Sequence, residues 1–516
     1  MTEKERTGGE HAAMPLHAGE RPAPRFMRAV GVAFCCMWAL SILAFPWLKE
    51  QINGYLPVAA GVLMAAALIW RPVRRRVDGL LQRPSTPWFL VVVTALALAL
   101  RLGAMLLAPE ALSSDSLVYD ALAANMISGS GYGQTAYLSP GYPALLAGWY
   151  FIFGGGAKQG YMLGILLGTT AVPLIYDVGR RAIGPAAGRW AALLLSVMPT
   201  LVFTSPRVHT TTTLVLLVLA TMDLFLLGGR ERLAWGWSLV LGLVTGFAVL
   251  VRPTFLLAPS WLAPAWLVRT HWRRTAARTA LFAAGMLAVV APWTARNYLV
   301  LGAFVPVSTN GGYNLYNGMN PDSDGLWSRR EPLPGEHDEV SRDRLRRRAA
   351  LRWAAENPGP CARLMVRKQA YMWGTSSTNI GDGLSRGVPE SFRGLTRKAI
   401  KFSCNAFFVM LMILAFRSTV LTGVWRNPRL LPGLLFVLVL FGIHLLFEVQ
   451  SRYNIPALPV MMLLASAGPW GLGLKKPKCY TGEPVTEETP VCAPQGGNGR
   501  QSRPKVQMGS MARVTY

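Results

Sequence analysis

The stretch that decides the fold runs from residue 87 to residue 107 and reads PWFLVVVTALALALRLGAMLL, with Arg101 as its only charged residue. A helix of about 20 apolar residues crosses the roughly 30 Å hydrocarbon core of a bilayer, so this stretch predicts a transmembrane helix. Comparable apolar runs predict spans at 29–47, 54–70, 87–107, 160–178, 187–205, 211–228, 235–251, 254–268, 279–295, 401–420, 430–447 and 455–473. The sequence therefore predicts an all-α polytopic membrane protein with about twelve transmembrane helices and no large soluble catalytic domain.

The composition supports the membrane class. The chain has 516 residues, 52% of them hydrophobic and 15% charged, against about 25% charged in soluble domains. The net charge of +26 would suggest a nucleic-acid partner in a soluble protein. Here the Lys and Arg residues stand between apolar runs, as membrane anchors do, so we predict no nucleic-acid binding. The six cysteines form no disulfide framework and no metal-binding spacing.

The basic clusters set the expected orientation. They lie at 71–76, 180–181, 230–232, 269–278, 426–429 and 475–478. A cytoplasmic N-terminus places all six in the cytoplasm, as the positive-inside rule requires, and places the C-terminus there too. The same choice puts the loop 108–158, the long loop up to Lys401 and the turn around Arg452 on the non-cytoplasmic face.

These assignments predict six segments. They are a cytoplasmic N-terminal tail at 1–28, an N-terminal transmembrane hairpin with a basic loop at 29–84, a transmembrane core at 85–300 that includes the first external loop 108–158, a long external loop at 301–400, C-terminal transmembrane helices at 401–474 and a disordered cytoplasmic tail at 475–516. Inside the external loops, short helices are expected at 118–127, 140–153, 339–356 and 362–373.

Charged residues at the expected outer face are the candidates for chemistry. Asp115 stands where a membrane helix emerges and a short helix begins, which is typical of an N-cap as well as of a functional carboxylate. Arg252, Arg296 and Arg452 lie at outer ends of spans. Three guanidinium groups there could clamp a lipid phosphate, because their donors match its geometry. The alternative is that each extends to the headgroups as an ordinary anchor.

His444, Glu448 and Arg452 are spaced i, i+4 and i+8, which places them on one face if the segment is helical. Ionisable groups in a span are costly and usually face a cavity or a structural network between helices. Arg101 raises the same question.

Ordered motifs give the chain a family resemblance. They are Asp115-x3-Tyr119-x2-Leu122-Ala123, Gly129-x-Gly131-Tyr132, Pro140-Gly141-Tyr142-Pro143, Arg252-Pro253, Pro292-Trp293-x2-Arg296-Asn297-Tyr298, Gly311-Gly312-Tyr313-Asn314, Glu356-Asn357-Pro358-Gly359 and Arg452-Tyr453-x2-Pro456-x2-Pro459. In this order they resemble the GT-C glycosyltransferases of the ArnT/PMT type, which are glycosyltransferase family 39-like and dolichyl-phosphate-mannose-protein mannosyltransferase-like.

The resemblance implies a GT-C fold and transfer of a hexosyl or pentosyl group from a polyprenyl phosphate. The acceptor would be an envelope glycolipid, glycan or protein, as in lipopolysaccharide or protein glycosylation, at the non-cytoplasmic face of the inner (plasma) membrane. Asp115 matches the position of the catalytic base. The candidate substrate-binding residues are Tyr119, Asp120, Tyr142, Arg252, Arg296, Asn297, Arg452 and Tyr453. No metal ligand and no certain cofactor are predicted, and a divalent cation stays an open alternative.

The sequence also departs from the family pattern. Leu138 and Ser139 stand where the family often has Arg and a second Pro, and His209 with the threonines that follow stands where an acidic residue is common. These departures leave the acceptor and any metal undetermined. Two other readings stay open. A transporter or lipid flippase should show broken helices in paired repeats, of which no clear trace is present, and a non-catalytic assembly protein could keep the fold.

Overall fold

The computed structural model describes residues 24–43, 55–107, 112, 114–229, 234–377, 380 and 389–467. These residues form the helices α1 Pro24–Leu43, α2 Leu56–Ile69, α3 Arg71–Gln82, α4 Thr86–Leu107, α5 Asp115–Ile127, α6 Gly141–Phe153, α7 Ala157–Ala182, α8 Pro185–Val197, α9 Pro199–Thr204, α10 Thr210–Leu227, α11 Ala234–Val251, α12 Ala258–Leu267, α13 Trp272–Leu301, α14 Gly311–Gly318, α15 Glu339–Glu356, α16 Pro358–Gly374, α17 Glu390–Thr422, α18 Leu431–Leu446 and α19 Leu458–Ala467. The predicted tail 475–516 lies outside the described residues.

The predicted all-α multi-pass membrane class is confirmed. Within the described ranges, six helices are long and apolar enough to cross a membrane, namely α4, α7, α10, α11, α13 and α17. The number rises to seven if α2 and α3, which are bent by 73° against each other, make one span. The predicted count of about twelve is not confirmed.

Prolines explain part of the difference in span count. The predicted span 187–205 is divided at Pro199, where Met198 is extended and separates α8 from α9. The predicted span 254–268 begins as a 3₁₀ turn at Pro253–Leu257 before α12. A proline lacks the N–H that continues a helix and its ring clashes with the preceding turn. Each resulting helix is shorter than a bilayer crossing requires.

Glycines allow the membrane helices to pack at close range. A Cβ atom on Gly242 of α11 would lie 2.2 Å from the carbonyl oxygen of Phe282 on α13. On Gly285 of α13 it would lie 2.5 Å from the carbonyl oxygen of Leu239. Small residues permit this close backbone approach, which is a main source of packing energy between helices in lipid.

The contacts of Arg101 show that this charged residue of an apolar run belongs to a structural network between helices. Its side chain is buried at 1% exposure in α4. Its Nε donates to Ser205 Oγ at 3.1 Å, and its Nη atoms donate to the carbonyls of Ser196 and Leu195 at 3.4 Å each. These two carbonyls lie at the end of α8, where the break before Pro199 leaves them without helical N–H partners. Arg101 therefore caps a broken helix.

The short helices of the two loops predicted to be external agree with the sequence pattern. The charged helix predicted at 339–356 is α15, which begins with a capping box between Asp338 and Ser341. The helix predicted at 140–153 is α6, and the helix predicted at 118–127 is α5, which already starts at Asp115. The sequence did not predict α3, which occupies the first basic cluster, or α14.

Replacing Arg101 by Ala should lower the free energy of unfolding by about 3 kcal/mol or more, because it leaves several buried carbonyls without a donor. We expect a clear fall in the melting temperature of the detergent-solubilised protein. Arg75→Ala on α3 removes an exposed arginine and serves as the matched control. Equal melting temperatures for the two variants would contradict the capping role.

Candidate active site

A cavity of about 880 Å³ lies where the loop 108–158, which the sequence predicts to be external, meets the start of α10, the end of α11 and the turn after α18. Its ionisable lining residues are Asp115, Tyr119, Tyr137, Tyr161, Arg207, His209, Arg252, His444, Glu448, Arg452 and Tyr453. Five of the residues that the sequence singled out for the site are among them. The structure therefore brings together segments that are more than 300 positions apart in the chain.

Asp115 and Arg452 form the central contact of this cavity. Arg452 Nη2 donates to Asp115 Oδ2 at 3.1 Å. The N-cap interpretation of Asp115 is wrong in detail, because Ser114 holds the N-cap position and Asp115 is the first residue of α5. Ser114 has a φ of 49°, a left-handed conformation that is costly for a non-glycine residue. The Asp115 side chain keeps 41% exposure, so part of the carboxylate remains accessible.

His209 completes the contact and was not among the predicted site residues. Arg452 Nη1 donates to His209 Nε2 at 2.9 Å, and this nitrogen lies 3.9 Å from Asp115 Oδ2. A guanidinium can only donate, so Nε2 is the acceptor in this contact; the other ring nitrogen, Nδ1, lies 2.7 Å from Thr211 Oγ1 and 3.3 Å from Thr211 N. Burial, and then the charges of Arg452, Arg207 and Arg252, hold the pKa of His209 well below its usual value. The imidazole is neutral and acts as an acceptor.

A second cationic side chain of the cavity, that of Arg252, lies over an aromatic ring. The guanidinium carbon of Arg252 lies 4.3 Å from the centroid of the Tyr453 ring. The Tyr453 hydroxyl donates to Glu448 Oε1 at 2.5 Å, and Glu448 is 2% exposed. Burial raises the pKa of Glu448. Glu448 thus fixes the ring on which Arg252 rests, and no described residue accepts a hydrogen bond from the Arg252 side chain.

The prediction that His444, Glu448 and Arg452 share one helical face is wrong, although all three line the cavity. α18 ends at Leu446, and the chain then becomes extended. The N–H of Glu448 donates to the Asn314 carbonyl at 3.1 Å, so the chain leaves the helix to pair with the long external loop. Arg452 belongs to a separate 3₁₀ segment.

Of the three tyrosines predicted for the site, Tyr119 and Tyr453 line the cavity and Tyr142 does not. Tyr119 lines the cavity, and its ring meets that of Tyr142 edge-on at 5.1 Å. Burial raises the pKa of Tyr119 to about 12. Tyr142 is 2% exposed and is not in the lining. Asp120 is also outside the lining, because its carboxylate accepts a 2.6 Å hydrogen bond from Tyr150 and ties α5 to α6.

The side chains of Arg296 and Asn297 donate to loop carbonyls and do not line the cavity. Arg296 Nη1 donates to the Thr135 carbonyl at 2.8 Å, and its guanidinium stacks 4.8 Å from the Trp293 ring centroid. Asn297 Nδ2 donates to the Val305 carbonyl at 3.0 Å. Roles in substrate binding for Asp120, Tyr142, Arg296 and Asn297 stay predictions.

The donor set of the cavity does not fit a divalent cation. Such ions need several oxygen or nitrogen ligands that converge on one point. The described part of the chain contains no group of three or more His, Cys, Asp and Glu residues placed to share an ion. Of the two carboxylates in the cavity, Asp115 is engaged by Arg452 and Glu448 by Tyr453.

Residues 138–295 match the family model described as dolichyl-phosphate-mannose-protein mannosyltransferase. The predicted resemblance to GT-C glycosyltransferases of the ArnT/PMT type is confirmed. The matched range covers α6 to α12 and most of α13, and it includes His209 and Arg252. None of the curated proteins matches the sequence.

The solved structures that match this chain have low sequence identity and TM-scores below 0.5. ArnT from Cupriavidus metallidurans bound to undecaprenyl phosphate has 15% identity and a TM-score of 0.39, over 75% of this chain and 77% of that one. The apo oligosaccharyltransferase of Archaeoglobus fulgidus has 14% identity and a TM-score of 0.45, over 74% of this chain and 50% of that one. This chain thus spans about half the length of the archaeal protein.

His209 should stay neutral where an ordinary histidine with a pKa of about 6.5 takes up a proton. As the pH falls through that value, only the unfolded chain gains a proton here, so this group reduces the stability of the fold at acidic pH. Nitrogen NMR of histidine-labelled protein, assigned with His209→Gln, would follow the ring. Arg452→Met should raise the pKa of His209. Titration of His209 near its ordinary pKa in the unmodified protein would contradict this account.

Proposed function

We propose that the protein transfers a hexosyl or pentosyl group from a polyprenyl-phosphate donor to an envelope glycolipid, glycan or protein. Asp115 acts as general base. The observation that carries the proposal is the convergence of Asp115 with Arg252 and Arg452 on one cavity. A carboxylate and two guanidinium groups supply what this reaction needs, which is a proton acceptor and a binding site for a phosphate leaving group.

The arginines would bind the phosphate of the donor. The guanidinium of Arg252 lies over the Tyr453 ring and no described residue accepts a hydrogen bond from it, which leaves its N–H donors for a ligand. The Nε of Arg452 is buried and has no hydrogen-bond partner among the described residues. A buried donor in this state calls for a ligand or a water molecule. Donors preplaced in this way stabilise the charge that grows on a leaving phosphate.

Asp115 would take the proton of the acceptor. The acceptor oxygen forms a bond to the anomeric carbon while the bond from that carbon to the phosphate oxygen breaks. The bonding electrons leave with the phosphate, and the acceptor proton goes to Asp115. Before the donor binds, Arg452 holds Asp115 and His209 together. A phosphate that attracts Arg452 would loosen its hold on Asp115 and make that carboxylate a better base.

The geometry supports a reaction at the non-cytoplasmic face of the inner membrane. Tyr161 near the start of α7 lines the cavity, whereas Arg180 and Arg181 lie at the opposite end of this helix. A helix of this length spans about 39 Å, which is more than a hydrocarbon core. The basic end is the cytoplasmic end by the positive-inside rule. The cavity then opens toward the other side, with both termini in the cytoplasm.

Asp115→Asn should reduce sugar transfer by about 10²–10⁴-fold, because the amide cannot accept the proton. Transfer would be measured with reconstituted protein and envelope extract, followed by mass spectrometry of glycolipids and proteins. Asp322→Asn is the matched control, since Asp322 is exposed and lies outside the cavity lining. Full transfer by Asp115→Asn would overturn the role as base. Movement of an intact lipid across vesicles without sugar transfer would favour a flippase.

Arg252→Gln should weaken the binding of undecaprenyl phosphate about tenfold or more, because a charge-assisted contact to the phosphate is lost. Native mass spectrometry of the detergent-solubilised protein can measure the bound fraction. Arg348→Gln removes an exposed arginine of α15 and is the charge-matched control. If both variants bind the lipid as the unmodified protein does, Arg252 is not part of the donor site.

A further inference from the structure

The side of the cavity formed by the long external loop differs in chemistry from the arginine side. Four of the lining residues there are Asn310, Asn314 and Trp327 from the loop and Gln450 from the turn after α18, a turn that also carries the charged lining residues Glu448 and Arg452. None of these four side chains carries a charge. Three of them end in an amide and the fourth in an indole, so this side offers hydrogen-bond donors and acceptors and one aromatic face.

Two of the amides lie about one helical turn apart at the N-terminal end of α14. Asn310 precedes the helix, and the N–H of Asn314 donates to the Asn310 carbonyl at 3.0 Å. Residues separated by four positions lie on the same face of a helix. Both side chains are half-buried and both residues line the cavity. They form a short row of amides with a fixed spacing.

Trp327 and Gln450 form a second pair. Leu326 and Val449 make an isolated parallel bridge, and the Val449 N–H donates to the Gly325 carbonyl at 2.9 Å. The residues that follow each bridge partner are therefore neighbours, and both line the cavity. The indole of Trp327 is 49% exposed. This bridge holds an aromatic ring beside an amide, although the two come from distant parts of the chain.

The polar groups of this region are available to a ligand. Among the described residues, the Asn314 amide, the Gln450 amide and the Trp327 indole N–H have no hydrogen-bond partner. The Asn310 amide oxygen accepts from Ser308 at 3.0 Å, which leaves its NH₂ group for another contact. Side-chain amides pair with hydroxyl groups as both donors and acceptors, and an indole face packs on apolar C–H surfaces.

We infer that this region is an acceptor subsite for an uncharged saccharide, and the inference rests on the proposed function. A sugar presents hydroxyl groups at its rim and C–H groups on its faces, which is the combination that three amides and an indole complement. An anionic group such as a phosphate would require arginine or lysine, and none of these four residues supplies one. With the donor phosphate on Arg252 and Arg452, the uncharged side is left for the acceptor. The cavity volume lies at the upper end of the roughly 300–1,000 Å³ typical of ligand pockets.

Saturation-transfer NMR on the full-length chain in lipid nanodiscs would test the subsite. The probes are a panel of uncharged hexose and pentose disaccharides and their matched monophosphates, with undecaprenyl phosphate in the bilayer. We expect saturation transfer to uncharged disaccharides in preference to the monophosphates. Trp327→Ala should lower this binding about tenfold, and Asn314→Ala should lower it as well.

Trp272→Ala is the matched control, because Trp272 is also exposed, at 59%, and lies at the start of α13 outside the cavity lining. Preference for the monophosphates, no transfer to any uncharged disaccharide, or an unchanged signal in Trp327→Ala would overturn the subsite. If undecaprenyl phosphate binds while the disaccharides do not, this inference fails alone. If the lipid itself does not bind, the proposed function fails.

Discussion

The arrangement of the site depends on the fork of Arg452. A guanidinium presents its donors in one plane with fixed angles, so two acceptors at 3.1 and 2.9 Å define its orientation. One acceptor, Asp115, begins the helix of the first external loop, and the other, His209, precedes α10. His209 can serve because its pKa is lowered and the ring stays neutral. A charged imidazole would repel Arg452 and separate the three segments.

The position of Arg452 is set in turn by the long external loop. Lys368 on α16 donates from Nζ to the Leu446 carbonyl at 2.8 Å and to the Gly318 carbonyl at 3.1 Å. These carbonyls end α18 and α14, where a cation is favoured by the helix dipole. Burial lowers the pKa of Lys368 to about 7, which shows how much solvation this residue has given up. Together with the bond from Glu448 N–H to Asn314, it connects the loop to the turn that carries Arg452.

Local sequence patterns predicted much of the helical fold and part of the candidate site. Apolar runs marked the membrane helices, and the charge pattern with a proline stop marked 339–356 with the bounds that the structure has. Asp115 and Arg452 stood out because they are charged at predicted membrane boundaries. His209 did not, because its role comes only from the contact with Arg452 across 243 positions. The helical spacing assigned to Glu448 failed for the same reason, since a tertiary backbone contact ends α18 before that residue is reached.

Arg252 and Arg296 show why proximity to the membrane boundary does not by itself assign an arginine to the proposed phosphate site. Both follow the end of an apolar run, and both stack on an aromatic ring. The difference lies in the N–H edge of the guanidinium. In Arg296 an N–H of the guanidinium donates to the Thr135 carbonyl, so this side chain holds a loop in place. Arg252 lies over the ring of Tyr453 and no described residue accepts a hydrogen bond from its side chain, so donors that match a phosphate remain in the cavity.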